Sequence, residues 1–212
     1  MKKEITFISD THGKHSQLTP DLPGGWMIIH AGDVSNRGLV TEINEFTDWF
    51  STLPYQHKIF IAGNHDFGFE QKKEGITIPD NVIYLEDSEV VIDGIKIYGS
   101  PWQPEFFDWA FNLKRGEPLT EKWNMIPMDT NILVTHGPAF GMLDNTIQGL
   151  RVGCEDLVRR VFDVNPKIHV CGHIHYGYGM KKSLDVNFIN ASSLGERYTY
   201  DNKPIVIDYD EI

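Results

Sequence analysis

Residues 5–12 have the sequence ITFISDTH, in which an apolar run ends in a carboxylate and an imidazole. Similar stretches are WMIIHAGD at 26–33, KIFIAGNHD at 58–66, ILVTHG at 132–137 and IHVCGHIH at 168–175. Each apolar part has the length and composition of a β-strand, and a potential metal ligand follows within about two residues. Because α/β proteins bind ligands beyond the carboxyl ends of their strands, the five stretches predict one composite site.

The rest of the chain predicts further strands and two helices. Additional strand-length runs lie at 82–85, 90–92, 95–98, 188–189 and 205–207. Asp93-Gly94 favours a tight two-residue turn and therefore an antiparallel hairpin. Apolar residues with helical spacing occupy 39–53 before Pro54, and 154–161 before Asn165-Pro166. This alternation of strands and helices predicts an α/β fold with a parallel component.

The composition excludes several classes of protein. A formal charge of −11 over 212 residues disfavours a nucleic-acid polymer or an anionic membrane as the partner. A hydrophobic fraction of 41% excludes a disordered chain, and two cysteines exclude a disulfide scaffold. No apolar run approaches membrane-span length, and Glu4 and Asp10 interrupt any signal sequence. We therefore expect one soluble, cytoplasmic domain over residues 1–212. The sequence does not predict its oligomeric state.

Residues 101–130 are irregular and rich in aromatic side chains, including three tryptophans. Two interpretations are open for them. They form a helix and loop that pack on the sheet, or they form a wall of the substrate pocket.

The polar clusters predict metal binding only when they are taken together. Asp-x-His is a common tripeptide, Gly-Asp marks many turns, and Asn-His-Asp can cap a helix. Their repetition at five strand ends is what predicts a site for two divalent metal ions. Imidazole, carboxylate and amide ligands without thiolate favour Mn, Fe, Zn, Co or Ni over soft metals, and among these we place manganese first.

These clusters resemble the signature blocks of the calcineurin-like metallophosphoesterase superfamily. The blocks, in the family's order, are DTH at 10–12, GD at 32–33, GNHD at 63–66, THG at 135–137 and GHIH at 172–175. Other stretches are similar to the subgroup of metallophosphoesterase-domain-containing (MPPED-like) proteins. They are YGSPWQP at 98–104, WAFN at 109–112, GYG at 177–179 and INAS at 189–192.

The resemblance implies both a fold and a ligand set. The implied fold is a four-layer sandwich of two mixed β-sheets flanked by helices, with the metal site at the C-terminal ends of the strands. In the implied ligand set, Asp10, His12 and His175 hold one metal, Asn64, His136 and His173 hold the other, and Asp33 bridges the two.

One motif differs from that of the protein phosphatases in this superfamily, and the difference bears on the substrate. Protein serine/threonine phosphatases of this superfamily carry Gly-Asp-x-x-Asp-Arg-Gly, whereas residues 32–38 here are GDVSNRG, with Asn36 in place of the second aspartate. The chain is also shorter than those catalytic domains. Both differences disfavour protein phosphatase activity.

Three further residues are candidates for catalysis or substrate binding. His65 follows the ligand Asn64, and we predict that it protonates the leaving oxygen. Asp66 is predicted to orient the His65 ring, with a helix cap as the alternative. Arg37 is predicted to bind a phosphate oxygen, with a surface salt bridge as the alternative.

We predict a phosphoesterase with two metal ions that hydrolyses small phosphodiesters or nucleotides. In this prediction a hydroxide bridging the metals attacks phosphorus in line. Three alternatives are open: a phosphomonoesterase, a hydrolase that uses the same metals on another bond, and a catalytically weak metal-binding scaffold for a partner protein.

Overall fold

Strands and helices alternate along residues 2–212, the part of the chain that the computed structural model describes. The strands are β1 (Glu4–Ile8), β2 (Gly25–His30), β3 (Tyr55–Phe60), β4 (Ile83–Tyr84), β5 (Ser88–Ile92), β6 (Ile95–Ser100), β7 (Gln103–Pro104), β8 (Asn112–Leu113), β9 (Ile132–Thr135), β10 (Ile168–Cys171), β11 (Gly179–Ser183), β12 (Val186–Asn190) and β13 (Ile205–Asp208). The α-helices are α1 (Val40–Thr52), α2 (Phe67–Glu70), α3 (Glu117–Asn124) and α4 (Glu155–Val164). Short 3₁₀ helices cover His15–Asp21, His175–Gly177 and Tyr209–Glu211.

Two large mixed sheets form the centre of the fold. The first sheet has the order β13-β1-β2-β3-β4, and the second has the order β11-β12-β10-β9-β6-β5. Strands β1 to β4 are parallel to one another, and so are β12, β10, β9 and β6. Antiparallel strands lie only at sheet edges in this described part of the chain. A small parallel pair, β7 with β8, stands apart.

The two sheets pack face to face over a shared apolar core. Ile5, Met27 and Ile59 of the first sheet belong to the same buried cluster as Ile132 and Ile168 of the second. Successive residues of a strand face opposite sides of a sheet. Alternate apolar residues therefore enter the core between the sheets, and the apolar residues between them lie on the outer faces. This is why the strands are apolar runs without alternation.

Helices cover the outer face of each sheet. Phe60 of β3 packs against Phe46 of α1, with 5.4 Å between ring centroids. On the second sheet, Leu133 of β9 shares a buried cluster with Trp123 of α3 and Leu157 of α4. Burying side chains of this size stabilises the fold by about 2 kcal/mol each. The predicted four-layer sandwich is therefore confirmed.

Local signals set the ends of several elements. Asp93 and Gly94 have φ angles of 50° and 81°, as a two-residue hairpin turn requires, and they join β5 to β6. Helix α4 ends at Asn165, which is left-handed with φ 52°. All ten predicted strands are present, whereas β7, β8 and β11 follow no apolar run and were not predicted.

The two sheets meet at the edge where their parallel strands end. Ser9, just after β1, forms a parallel bridge with Ser192, just after β12. The amide N–H of Ser193 donates to the Ser9 carbonyl at 2.9 Å. The strand ends of both sheets are thereby held side by side. Within residues 2–212, no helix combines the length and apolarity that crossing a bilayer requires.

Candidate metal centre and cavity

Four of the predicted ligands have a left-handed backbone, which is uncommon for residues other than glycine. The φ angles are 53° at Asp10, 42° at His12, 58° at Asp33 and 67° at His173. Such conformations persist only where surrounding contacts hold them, and they concentrate at functional sites. Here they mark the places where the chain turns sharply after β1, β2 and β10.

Two glycines allow the ligand loops to approach closely. A Cβ atom added at Gly172 would lie 2.1 Å from Asp10 Oδ2. A Cβ atom added at Gly63 would lie 2.4 Å from Asp33 Oδ1. Real Cβ atoms do not approach so closely, so both positions require glycine for the ligands to keep their places.

The first ligand group consists of Asp10, His12 and His175. One potential ligand atom from each lies within 4.8 Å of the others. Asp10 Oδ1 is 3.5 Å from His175 Nε2, and the Ser192 hydroxyl is 2.9 Å from Asp10 Oδ2. His175 Nδ1 is 3.1 Å from the Gly195 carbonyl, which can only accept, so Nδ1 carries the proton and Nε2 faces the site.

The second ligand group consists of Asn64, His136 and His173. Asn64 Oδ1 is 2.9 Å from His136 Nε2 and 2.8 Å from His173 Nδ1. His136 Nδ1 is 2.9 Å from the Ala31 carbonyl, a contact that fixes the orientation of this buried ring. The amide oxygen and the two imidazole nitrogens therefore point at one another.

Asp33 lies between the two ligand groups. Its Oδ2 atom is 3.6 Å from His12 Nε2 and 3.3 Å from His136 Nε2. Its Oδ1 atom accepts the backbone N–H of His65 at 2.8 Å. One oxygen thus faces both groups while the other anchors the carboxylate. The structure brings all seven predicted ligands together, with Asp33 in the position expected of a bridge.

The donor set fits divalent metal ions. Both ring nitrogens of His12 are buried and have no hydrogen-bond partner within residues 2–212. A buried polar atom without a partner is costly, and a bound cation would satisfy it. The imidazole, carboxylate and amide ligands suit Mn, Fe, Zn, Co or Ni.

Charge pairs control the protonation of four of these groups. Burial opposes the charged form of Asp33, but His136 outweighs burial and holds the Asp33 pKa well below its usual value. Asp10 behaves in the same way beside His175. Burial also opposes the charged imidazoles, yet Asp33 and Asp10 raise the pKa of His136 and His175 to about 9. The carboxylates are therefore ionised, as ligands must be.

The other two imidazoles behave differently. Burial lowers the pKa of His12 to about 4 and that of His173 to about 3. Both rings are therefore neutral at pH 7. A neutral imidazole offers a lone pair, which is the form that binds metal.

His65 is clamped beside the first ligand group. Its ring stacks on Trp109, with 4.2 Å between centroids, and meets His12 edge-on at 4.5 Å. His65 Nδ1 is 2.8 Å from the Asn36 carbonyl, which can only accept, so Nδ1 carries a proton. The Nε2 atom is thereby left for another partner.

Asp66 does not orient the His65 ring; the Asn36 carbonyl makes that contact. The Asp66 carboxylate instead accepts the backbone N–H groups of Val34, Ser35 and Gly63 and the Ser35 hydroxyl, at 2.6–3.1 Å. It precedes α2 without a side-chain cap bond. Burial, together with the nearby charge of Asp33, raises its pKa to about 6. Asp66 therefore connects the loop that carries Asp33 to the loop that carries Asn64, in place of the predicted role of orienting His65.

A cavity of about 390 Å³ opens above the ligand groups. Among the residues that line it are Asp33, Asn64, His65, His173 and His175. This volume is in the range of small-molecule sites. The predicted phosphate ligand Arg37 is exposed and does not line the cavity, so the structure does not bring it to the site.

The cavity wall comes largely from the aromatic segment 101–130. Phe106 and Trp109 line it, while α3 of the same segment packs on the second sheet. Both open interpretations of this segment therefore hold, for different residues. Arg115 also lines the cavity, but its guanidinium pairs with Glu155 and donates to two backbone carbonyls at 2.7 and 2.8 Å.

Sequence reasoning missed three residues around the site. Trp109 and Ser192 lie in stretches that carry the resemblance, WAFN and INAS, but nothing in those stretches reveals their contacts. Tyr198, which lines the cavity, lies in no recognised motif. Its position depends on contacts with residues far away in the sequence.

The comparisons with known proteins agree with this geometry. A family model described as calcineurin-like phosphoesterase matches residues 3–177. Metallophosphoesterase domain-containing protein 1 of Homo sapiens is 43% identical over 227 residues, which cover 95% of this chain and 69% of that protein. A UPF0046 protein of Caenorhabditis elegans is 37% identical over 232 residues, which cover 95% of this chain and 58% of the length of that protein.

Solved structures share the architecture at low sequence identity. Phosphopantetheinyl hydrolase from Mycobacterium tuberculosis superposes with a TM-score of 0.63 at 17% identity, over 93% of this chain and 91% of its own. The protein TT1561 of Thermus thermophilus superposes with a TM-score of 0.55 at 15% identity, over 90% of this chain and 89% of its own. These similarities concern the fold alone.

Proposed function

Because the chain belongs to the calcineurin-like phosphoesterase family, we propose that it is a metal-dependent hydrolase of small phosphodiesters or nucleotides. The family supplies the reaction class, a metal-dependent phosphoric ester hydrolase. The observation that carries the choice of substrate is the cavity of about 390 Å³, which is lined by Asp33 and by members of both ligand groups. Those members are His175 of the first group and Asn64 and His173 of the second. A cavity of this volume takes one small molecule rather than a polymer.

The two ligand groups would hold two divalent cations, with manganese as the first choice and Asp33 shared between them. When bound, such ions activate water and offset the charge of the phosphoryl group. Asp10 and Asp33 are the only anionic residues among the seven ligands, so two bound cations leave a net positive site. A phosphate ester would be attracted there despite the overall charge of −11.

His65 would deliver the proton that the leaving oxygen needs. The Asn36 carbonyl holds Nδ1, and stacking on Trp109 fixes the plane of the ring. Nε2 is therefore the atom that faces a substrate in the cavity, and it donates when the ring carries a second proton as an imidazolium. A positioned histidine of this kind typically accelerates a reaction by about 10²–10⁴-fold.

The wall of the cavity favours an organic group attached to the phosphate. Phe106, Trp109 and Val152 offer apolar and aromatic surface, on which a nucleobase or an aryl ester could pack. Glu105 and Glu196 also line the cavity, and they would repel a second anionic group on the substrate. An ester with one phosphate and a neutral organic group fits both features.

Matched aryl esters test the proposal. The manganese-loaded protein should hydrolyse bis-p-nitrophenyl phosphate with a higher kcat/KM than p-nitrophenyl phosphate, and a chelator should abolish both reactions. A panel of nucleotides would then place the natural substrate class. Preference for the monoester would replace diesterase with phosphomonoesterase activity. Full metal occupancy without turnover of any ester would favour the scaffold instead.

We also propose that residues 1–212 act as one catalytic domain in a reducing compartment such as the cytoplasm. Ligands and supporting contacts run from Asp10 to Gly195, so the site draws on almost the whole chain. Cys154 and Cys171 are both buried as free thiols, as expected where disulfides do not form.

A further inference from the structure

Residues 191–204, the C-terminal loop between β12 and β13, lie beyond residue 177, where the family model ends, yet they contact the first ligand group. The Ser192 hydroxyl meets Asp10, and the Gly195 carbonyl meets His175 Nδ1. The same loop places Tyr198 in the cavity. Its contribution therefore goes beyond connecting two strands.

The Tyr198 ring is held against two of the ligand imidazoles. Its centroid lies 4.9 Å from that of His12 and 5.1 Å from that of His175, with edge-on geometry in both cases. The residue is 41% exposed, and it lines the cavity. A phenol in this position stands next to the first ligand group and opens toward bound substrate.

The backbone around Tyr198 is strained and firmly anchored. Tyr198 has φ 56°, a left-handed conformation that is a true outlier for a bulky aromatic residue. Its N–H donates to the Gly195 carbonyl at 2.8 Å, and its carbonyl accepts from the Lys14 ammonium. Thr199 continues this turn by accepting the Gly195 N–H at 2.9 Å. Strain that several contacts maintain, as at four of the predicted ligands, is typical of functional positions.

The Tyr198 hydroxyl differs from those of two other tyrosines in this part of the chain. Tyr178 donates to the Lys203 carbonyl at 2.8 Å, and Tyr200 donates to Asp21 at 2.8 Å. The Tyr198 hydroxyl has no hydrogen-bond partner within residues 2–212. A phenol that lines a binding cavity without an internal partner is available to a ligand.

We propose that the Tyr198 hydroxyl donates a hydrogen bond to a phosphoryl oxygen of the bound ester, beside the first ligand group. This inference rests on the proposed function, because it names a contact to the same substrate. A neutral donor adds a contact on the side of the cavity that the acids Glu105 and Glu196 also line, and these acids cannot donate to a phosphoryl oxygen when ionised. Arg115, a cation that lines the cavity, already donates three hydrogen bonds, to Glu155 and to two backbone carbonyls.

Tyr198→Phe tests the proposal because it removes the hydroxyl and keeps the ring. Loss of one hydrogen bond to a charged group should lower kcat/KM for bis-p-nitrophenyl phosphate by about tenfold or more. The dissociation constant of inorganic phosphate, measured calorimetrically on the manganese-loaded protein, should rise by about tenfold. Manganese content should not change, because Tyr198 is not a predicted ligand.

Tyr200→Phe is the matched control, since it removes a hydroxyl from the same loop without touching the cavity. Unchanged kcat/KM and phosphate affinity in Tyr198→Phe would overturn the proposal, and so would equal losses in the two variants. If the wild-type protein hydrolyses no ester, the proposed function fails. Phosphate affinity then decides separately whether Tyr198 binds the phosphoryl group.

Discussion

The two ligand groups are alike in composition but differ in what holds them. The second group, Asn64, His136 and His173, supports itself, because the Asn64 oxygen contacts both imidazoles. Its three ligands lie within residues 3–177, the part matched by the family model, as do the three ligands of the first group.

The first group depends on the C-terminal loop. Asp10 is contacted by the Ser192 hydroxyl, His175 by the Gly195 carbonyl, and both imidazoles of the group by Tyr198. Those three supporting residues lie outside the matched part. The site therefore has one half that holds itself together and another half that depends on the C-terminal loop for support.

The largest effect is expected at Asp33, which the two groups share. We expect Asp33→Asn to weaken both metal sites and to lower turnover by about 10³-fold or more, because a neutral amide offsets neither cation. Metal content after manganese loading and dialysis, together with turnover of bis-p-nitrophenyl phosphate, measures both effects.

Asp10→Asn is the contrasting variant, since it removes a carboxylate from the first group alone and leaves Asp33 and the second group intact. We expect only one of the two ions to be lost under the same dialysis. Loss of both ions from Asp10→Asn, or of only one from Asp33→Asn, would contradict the placement of Asp33 between the groups.

The next effect concerns His65, which packs on the first group without belonging to it. His65→Ala should slow hydrolysis of alkyl esters by about 10²-fold or more, and that of nitrophenyl esters much less, because nitrophenolate leaves without a proton. Metal content should remain at the wild-type level. Equal losses for both kinds of ester would remove the proton-donating role.

Ser192→Ala tests whether the C-terminal loop supports the first group selectively. Removing a contact to a ligand commonly weakens metal affinity by about 10–100-fold, and here only the first group should be affected. Titration with a chelator should release one ion earlier than in the wild-type protein. Ser193→Ala is the control, because its hydroxyl forms no hydrogen bond within residues 2–212. Equal weakening of both ions would remove the distinction between the two groups.

The smallest effect concerns two buried histidines, one behind each group. Thr11 Oγ1 is 3.0 Å from His30 Nε2, and Thr135 Oγ1 is 2.8 Å from His169 Nε2. Burial lowers the pKa of both histidines to about 3. Unfolding restores a pKa near 6.5, so the unfolded chain binds more protons below that pH and stability falls as the pH drops toward 3.

His30→Gln and His169→Gln should each reduce this dependence of stability on pH. As the pH falls from about 6 to 4, the free energy of unfolding decreases in all three proteins. In each variant it should decrease by about 1.4 kcal/mol per pH unit less than in the wild-type protein. Urea denaturation of chelator-treated protein at several pH values gives the slopes. A slope that changes in one variant alone would show that the two halves are protonated differently.

The sequence predicted what depends on local pattern. Ten strands followed from short apolar runs, and the ligands followed from polar residues placed where those runs end. Parallel strands must bring such ends to one edge, so a one-dimensional pattern was enough to locate the site.

The contacts around the ligands could not be predicted in this way. Asp66 and Asn36 are both near His65, and only the loop geometry determines that a backbone carbonyl, not the carboxylate, orients the ring. Tyr198 reaches His12 across 186 positions of sequence, through a turn that no motif marks. Such contacts depend on tertiary packing, which local sequence patterns do not determine.

The junction of the two sheets has a consequence for biosynthesis. Asp10 is synthesised well before the partners of its carboxylate, because the His173 N–H and the Ser192 hydroxyl follow 163 and 182 residues later. Contacts so distant along the chain form late and slowly in folding. The nascent chain therefore carries the Asp10 carboxylate without its full set of partners until translation has passed residue 192, so the first ligand group takes its final form late.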